Sequence, residues 1–184
     1  MSNATLSATA FRTAWEHLDL GAMPIVLHVQ DEPAPWSALT TRGLARGGEL
    51  DPWLGAAFKL LAYPPRSADL RLGIGRAAVR ALAASTGAGS LLAVLTGDLL
   101  TVRELDTDLA TALVDLLPAM PDGRVGAPDL RGQFGAAAID RTGRRQRAAD
   151  VVEFHGFTDA DVLRARINAL LARFSEPSGE VREA

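Results

Sequence analysis

The stretch from Arg131 to Phe157, RGQFGAAAIDRTGRRQRAADVVEFHGF, constrains the fold more than any other part of the chain. Two extended-favouring runs flank Asp140-Arg141-Thr142-Gly143, and a glycine between such runs supplies the positive φ of a hairpin bend. Phe134, Ala136 and Ala138 alternate onto one face, Ile139 falls on the other, and Val151 and Val152 open the return strand. Arg144, Arg145 and Arg147 crowd just beyond the turn. The segment holds no obvious nucleophile, acid–base pair or metal cluster. It reads as scaffold, which directs the functional question toward binding.

Composition narrows the class. A chain of 184 residues can bury a good core as one domain or two small halves. Its net charge of −3 argues against general nucleic-acid binding, which favours a basic field. Zero cysteines exclude disulfides, thiolate metal sites and thiol catalysis. No apolar run approaches the ~20 residues of a membrane span. The start MSNATLSATAF lacks both the basic opening and the long apolar core of a signal peptide. The expectation is a cytoplasmic protein with no membrane insertion.

Helices and strands come in blocks. Phe11, Ala14, Trp15 and Leu18 share a face in a helix from Ser7 to Leu18, ended by Gly21. Ile25 to Val29 predicts a short central strand, and Trp36 to Thr41 a helical turn. Asp51-Pro52 starts a helix with Leu54, Ala57, Phe58 and Leu61 inward, stopped by Pro64-Pro65. Asp69 to Ile74 alternates strictly, as a strand with one wet face does. Ser90 to Thr96 and Leu99 to Leu105 are strands joined by Gly97-Asp98, a two-residue hairpin turn. Asp106 or Thr107 caps a helix facing inward with Leu109, Leu113, Leu116 and Leu117 and ended by Pro118. Pro118 to Leu130 reads as loop. Thr158 caps a last helix with Leu163, Ile167, Leu170, Leu171 and Phe174 inward, and 175–184 reads as a disordered tail. The order predicts an α+β fold: an antiparallel sheet flanked by helices.

Arg76 to Thr86 is open between two readings. Its alanines favour helix, while its place between strands with short connections favours another antiparallel strand. A helix there would let Gly73-Ile74-Gly75-Arg76-Ala77-Ala78 serve as a GxGxxA dinucleotide fingerprint and make the chain a small-molecule or nucleotide-binding module. Against this, the preceding strand exposes Asp69 and Arg71, and the expected acidic partner, Asp98, falls in a hairpin turn. His17, His28 and His155 lie on three different elements with no repeated spacing, which argues against a metal site. Ser37, Ser85 and Ser90 sit in no nucleophile-elbow context. Arg141, Arg144, Arg145 and Arg147 are a candidate anion or partner surface, with a solvated hairpin tip as the plainer reading. Trp36 and Trp53 face either a partner or the core.

Matches spread along the chain bear on these alternatives. They run through Trp15-Glu16, Leu18, Gly21, Pro24-Ile25-Val26-Leu27, Arg42-Gly43-Leu44, Leu50-Asp51-Pro52 with Leu54, and Leu60-Leu61 with Pro64. They continue through Val79-Arg80-Ala81-Leu82-Ala83, Leu92-Ala93-Val94, Gly97-Asp98 and Leu113 to Pro118. The most specific part is Gly132-Gln133-Phe134-Gly135 through Gly143-Arg144-Arg145, ending near Phe154. In their order and spacing the chain resembles the EspG family, cytosolic chaperones of actinobacterial type VII (ESX) secretion. It departs by a short loop where relatives carry a helical insertion after Pro118, by a reduced segment at Glu32 to Thr41, and by a helix after Phe157 in place of further strand.

The resemblance implies one 1–174 domain of two pseudo-related lobes, about 5–118 and 131–174, with Arg76 to Thr86 as a strand. The four segments from Asp69 to Leu105 then form an antiparallel meander. It implies a non-enzymatic chaperone without metal or organic cofactor, holding the helical tip of a PE–PPE-type secreted heterodimer or similar helical client. A homodimer is also compatible with it. The family's loop between second and third strands maps to Gly73, Ile74, Gly75, Arg76 and Ala77. Ile74, the only large apolar residue there, is the candidate anchor, or else the last inward residue of its strand.

Overall fold

The computed structural model describes residues 2–174, so the tail at 175–184 lies outside the described residues. The chain opens with β1 (Asn3–Ser7), α1 (Ala8–His17), a 3-10 turn (Ile25–Leu27) and α2 (Ser37–Thr41). Then come β2 (Ala45–Arg46), β3 (Glu49–Leu50), α3 (Pro52–Ala62), β4 (Arg66–Ile74) and β5 (Ala77–Ser85). Next are β6 (Ser90–Thr96), β7 (Leu99–Glu104), α4 (Leu109–Val114) and β8 (Arg124–Ile139). The last elements are β9 (Arg145–Arg147), β10 (Val152–Asp159) and α5 (Ala160–Ala172). Among the described residues, eight strands make one sheet in the order β1-β7-β6-β5-β4-β8-β10, with β9 also paired to β8. Every strand pair in it is antiparallel.

The meander is present, and Arg76 to Thr86 is strand. Gly75 (φ 57°) and Gly97 (φ 58°) supply the positive φ that their two-residue turns need. The alanines of β5 have a packing reason that outweighs helix propensity. β5 lies mid-sheet with α4 on one face and α3 and the 3-10 turn on the other. Ala81 and Ala83 let α4 approach from one side; Ala84 leaves room on the other, where Leu82 is buried. Both backbone edges are engaged in ladders, a stronger commitment than an isolated preference of a few tenths of a kcal/mol per residue.

The helices cover the two faces unequally. α1, α3 and the 3-10 turn pack over the half of one face built from β1, β7, β6 and β5, around a Phe11–Trp15–Phe58 aromatic cluster. α4 and α5 cover the opposite face beneath β5, β4, β8 and β10, around Phe134, Leu70 and Ile167. Among the described residues no α-helix packs on the β8–β10 end of the first face, while the 3-10 turn reaches as far as β4.

Several expectations need correction. Ile25 to Val29 is a 3-10 turn and loop, with Val26, Leu27 and Val29 buried and Ile25 75% exposed. A short apolar run shows no period that separates a strand from a turn packed on a sheet. The segment read as a loop to Leu130 already contains the start of β8 at Arg124. Asp108 caps α4 through Thr111 N at 2.9 Å, and Asp159 caps α5 through Val162 N at 3.0 Å, in place of Asp106 or Thr107 and Thr158. Adjacent Asp and Thr residues have similar capping preferences, so the carboxylate that reaches the third amide decides. β1 was not foreseen; it pairs β7 and leads straight into α1, whose cap is Ser7.

The long hairpin is built as expected around Asp140–Gly143, but its return arm is broken into β9 and β10, both on one edge of β8. Asp140 ties the turn by accepting from the Thr142 hydroxyl at 2.6 Å and from the Thr142 and Arg144 amides at 2.9 Å. These bonds, the Thr142 hydroxyl foremost, hold its carboxyl below the ordinary aspartate value of 3.8.

Glycines along β8 explain why its sequence is so particular. The Phe154 ring lies on Gly132, its cross-strand partner, and stacks on Phe134 with centroids 5.1 Å apart. A Cβ at Gly126 would meet the Gly156 carbonyl. Gly135 lets Arg147 cross from β9 over β8 to Asp69 on β4, Nη1 standing 3.1 Å from Oδ2 and Nη2 donating to Oδ1 at 3.2 Å. A Cβ at Gly135 would stand 2.5 Å from Arg147 Nη2. Asp69, expected on a wet face, is thus only 5% exposed. Its burial is tolerated because a guanidinium reaches it across bare backbone.

Arg147→Ala is expected to lower stability in urea denaturation by about 1–3 kcal/mol, because a buried carboxylate loses its partner. Arg145→Ala, on the exposed tip, should stay within about 0.5 kcal/mol. Gly132→Ala should cost about 1–3 kcal/mol in the same assay, since the Phe154 ring must vacate its place. Asp140 has a lowered folded pKa, so its tie to the turn is complete above about 3.8 and is lost as pH falls through the folded value. Carboxyl NMR should therefore show Asp140 titrating below ordinary aspartates, and Thr142→Val should move its pKa back up.

Candidate functional site

The turn between β4 and β5 stands at one end of the uncovered sheet face. Ile74 pairs Ala77 across the turn, leaving Gly75 and Arg76 at its tip. Gly75, Arg76, Ala77 and Ala78 are exposed. Gly73 pairs with Ala78 on one side and Arg131 on the other, so the tip is carried by ladders on both flanks. Ile74 lies opposite Leu130 of β8 and is half-buried against the α4–α5 core. It is both the end of an inward row and the root of the turn.

Beside the tip, β8 bulges outward. Its pairing with β10 jumps from Arg131↔His155 to Gly126↔Phe157, so several residues of β8 oppose the single Gly156. The bulge carries Asp129 to the turn, where a Cβ at Gly75 would stand 3.0 Å from Asp129 Oδ2. Any residue with a side chain at position 75 would meet both a strained φ and this carboxylate.

Between the bulge, Arg71 of β4 and β10 lies an open depression of about 990 Å³. Arg71, Gln133 and Glu153 cross its floor in one row of register; Arg131 and His155, opposite Gly73, form the next. The depression thus offers cationic donors (Arg71, Arg131) and anionic acceptors (Asp129, Glu153) within one surface. The sequence reading missed it. Its signal was present as the positions alternating with Leu72, Phe134 and Phe154, but only strand register brings three such runs together.

The remaining candidates lie elsewhere. Arg141, Arg144 and Arg145 are exposed at the far hairpin tip, while Arg147 is held by Asp69 and belongs to the fold. His17 lies against Trp36 with tilted rings 4.3 Å apart, the His28 carbonyl accepts from Arg80, and His155 lies on β10, so the three histidines do not converge. Trp36 donates to the Gly47 carbonyl at 2.7 Å and Trp53 to Glu104 at 2.9 Å, and both pack partly buried against the first core. The GxGxxA stretch forms a strand, a tight turn and another strand. The helix N-terminus that would bind a pyrophosphate is not at this motif.

Comparison with known proteins agrees with this architecture. A chain in the structure of the Mycobacterium tuberculosis type VII secretion system chaperone EspG5 in complex with PE25-PPE41 dimer has a similar fold. The TM-score is 0.69 at 12% identity, covering 97% of this chain and 98% of that chain. No curated protein matches the sequence. The EspG family matches over residues 7–127, a span that runs from the cap of α1 through β4, the Gly75 turn and into β8, and the chain belongs to that family.

Proposed function

We propose that this protein is a cytosolic, non-enzymatic chaperone of type VII secretion that holds the helical tip of a PE–PPE-type heterodimer. The observation that carries the reading is membership of the EspG family, supported by the whole-chain likeness to a chaperone solved with such a dimer. Among the described residues no helix is long and apolar enough to cross a membrane, which fits a partner met in water.

The contact surface in this proposal is the Gly73–Ala77 tip with the depression beside it. The tip of two antiparallel helices exposes carbonyls ending one helix and amides starting the next. Those groups carry partial negative and positive charge respectively. A surface holding Arg71 and Arg131 together with Asp129 and Glu153 meets both needs, where a single-sign patch meets only one. Ala78, in register with Gly73 and Arg131, adds a small apolar side chain on the open face, while Ala77 and Ile74 lie together on the opposite face. The tip is braced by pairing on both sides, so little ordering cost accompanies binding.

Co-expression with PE–PPE pairs followed by affinity capture tests this. Arg76→Glu combined with Ala77→Glu changes only exposed positions. It should weaken capture by tenfold or more, about 1.4 kcal/mol, with unchanged circular dichroism and melting temperature. Ile74→Asp should lose both capture and stability because Ile74 also packs on the core. Undiminished capture by the double variant would move the site off the tip. Failure of every PE–PPE pair to co-purify would overturn the chaperone reading itself.

A further inference from the structure

The open sheet face gathers arginines in register. Arg71 of β4 stands opposite Gln133 of β8, and Arg131 lies one row further along β8, opposite Gly73. Directly opposite residues share a face, and every second residue along a strand returns to it. Arg71, Gly73, Arg131 and Gln133 therefore all belong to the open side. On its other flank Arg71 is opposite Arg80 of β5, and like charges so placed repel. Arg80 is drawn off by donating to the His28 carbonyl at 3.0 Å, and Arg147 is answered by Asp69. Arg71 and Arg131 are exposed and, among the described residues, their side chains make no hydrogen bond or ion pair. The position they enclose is Gly73, next to Arg71 along the face of β4 and opposite Arg131. Apart from its chain neighbours, a Cβ there would meet nothing nearer than the Ala77 carbonyl at 4.0 Å, so the floor between the two arginines is bare backbone.

We propose that the space over Gly73 is an oxyanion site, and that its occupant is an acidic side chain at the helical tip of the client. The second step rests on the chaperone reading. Guanidinium groups fork onto the two oxygens of a carboxylate. Arg71 and Arg131 are diagonal neighbours on adjacent strands, with Cβ atoms about 7–8 Å apart, so one carboxylate fits between their forks. Gln133 and His155 line the same depression and add an amide and an imidazole N–H. Glu153, opposite Gln133, and Asp129, beside Gly75, border the site but close no ion pair with either arginine. A helix end carries only about half a charge, less than two guanidinium groups can answer, whereas a full carboxylate matches them better. A depression this open gives a dissolved ion no wall to hold it. An anion carried in on a bound client is held by the rest of the contact.

Inorganic phosphate probes the site itself, on the full chain with no client present. Followed by NMR of the arginine Nε–Hε groups, the Arg71 and Arg131 signals should shift together and saturate in the millimolar range. Arg71→Gln and Arg131→Gln should each weaken this binding tenfold or more. Gly73→Val puts a strand-forming side chain into open space, so it should block phosphate to the same degree with unchanged circular dichroism. Glu153→Gln should tighten binding by removing a bordering carboxylate, while Arg145→Gln at the far hairpin tip should leave it as it was. With a captured PE–PPE pair, Arg71→Glu should weaken capture tenfold or more, and reversing one acidic residue of the client's tip to lysine should restore it. Phosphate shifts spread evenly over the exposed arginines, or indifferent to Gly73→Val, overturn the oxyanion site. Capture indifferent to Arg71→Glu, or restored by no client reversal, overturns the acidic occupant and leaves the chaperone reading standing. Failure of every pair to co-purify removes the chaperone reading and the client's acid with it, and the phosphate titration then decides the site alone.

Discussion

A carboxylate in the middle of a sheet is costly unless its partner is fixed in place, and much of this structure depends on how Asp69 is answered. The answering group, Arg147, belongs to neither neighbouring strand. It reaches from β9 over the bare backbone of Gly135, tying three strands at one point. Its guanidinium then occupies the face that a helix would otherwise cover. Apolar packing and a half-exposed ion pair exclude one another at this spot. Beyond this pair, the β8–β10 end of that face stays open to water, with Arg71, Gln133, Arg131, Glu153 and His155 displayed on it.

The same logic sets the position of the helices. A sheet of this width needs apolar cover on some part of each face, and the chain supplies it diagonally, with α1 and α3 over one end and α4 and α5 beneath the other. The layers overlap about β4 and β5, and β5, which also lies against α3, is the strand filled with alanine. Larger side chains there would force two helical layers apart at once. An exposed polar surface arises where apolar cover is missing, beside the Asp69–Arg147 pair.

Local signals were legible where the chain itself supplies the contact. Gly75, Gly97 and Gly143 marked turns because a positive φ is a local demand, and Asp51-Pro52 marked a helix start because cap and amide lie three residues apart. What stayed hidden depends on partners distant in sequence. Asp69 looked wet because an alternating pattern cannot announce an arginine arriving from position 147. Ile25 to Val29 looked like strand because burial on a sheet and burial in a sheet leave the same apolar run. Of the candidate site, the hairpin tip was readable through its glycines. The charged floor was not, since its residues come from three strands and meet only through register.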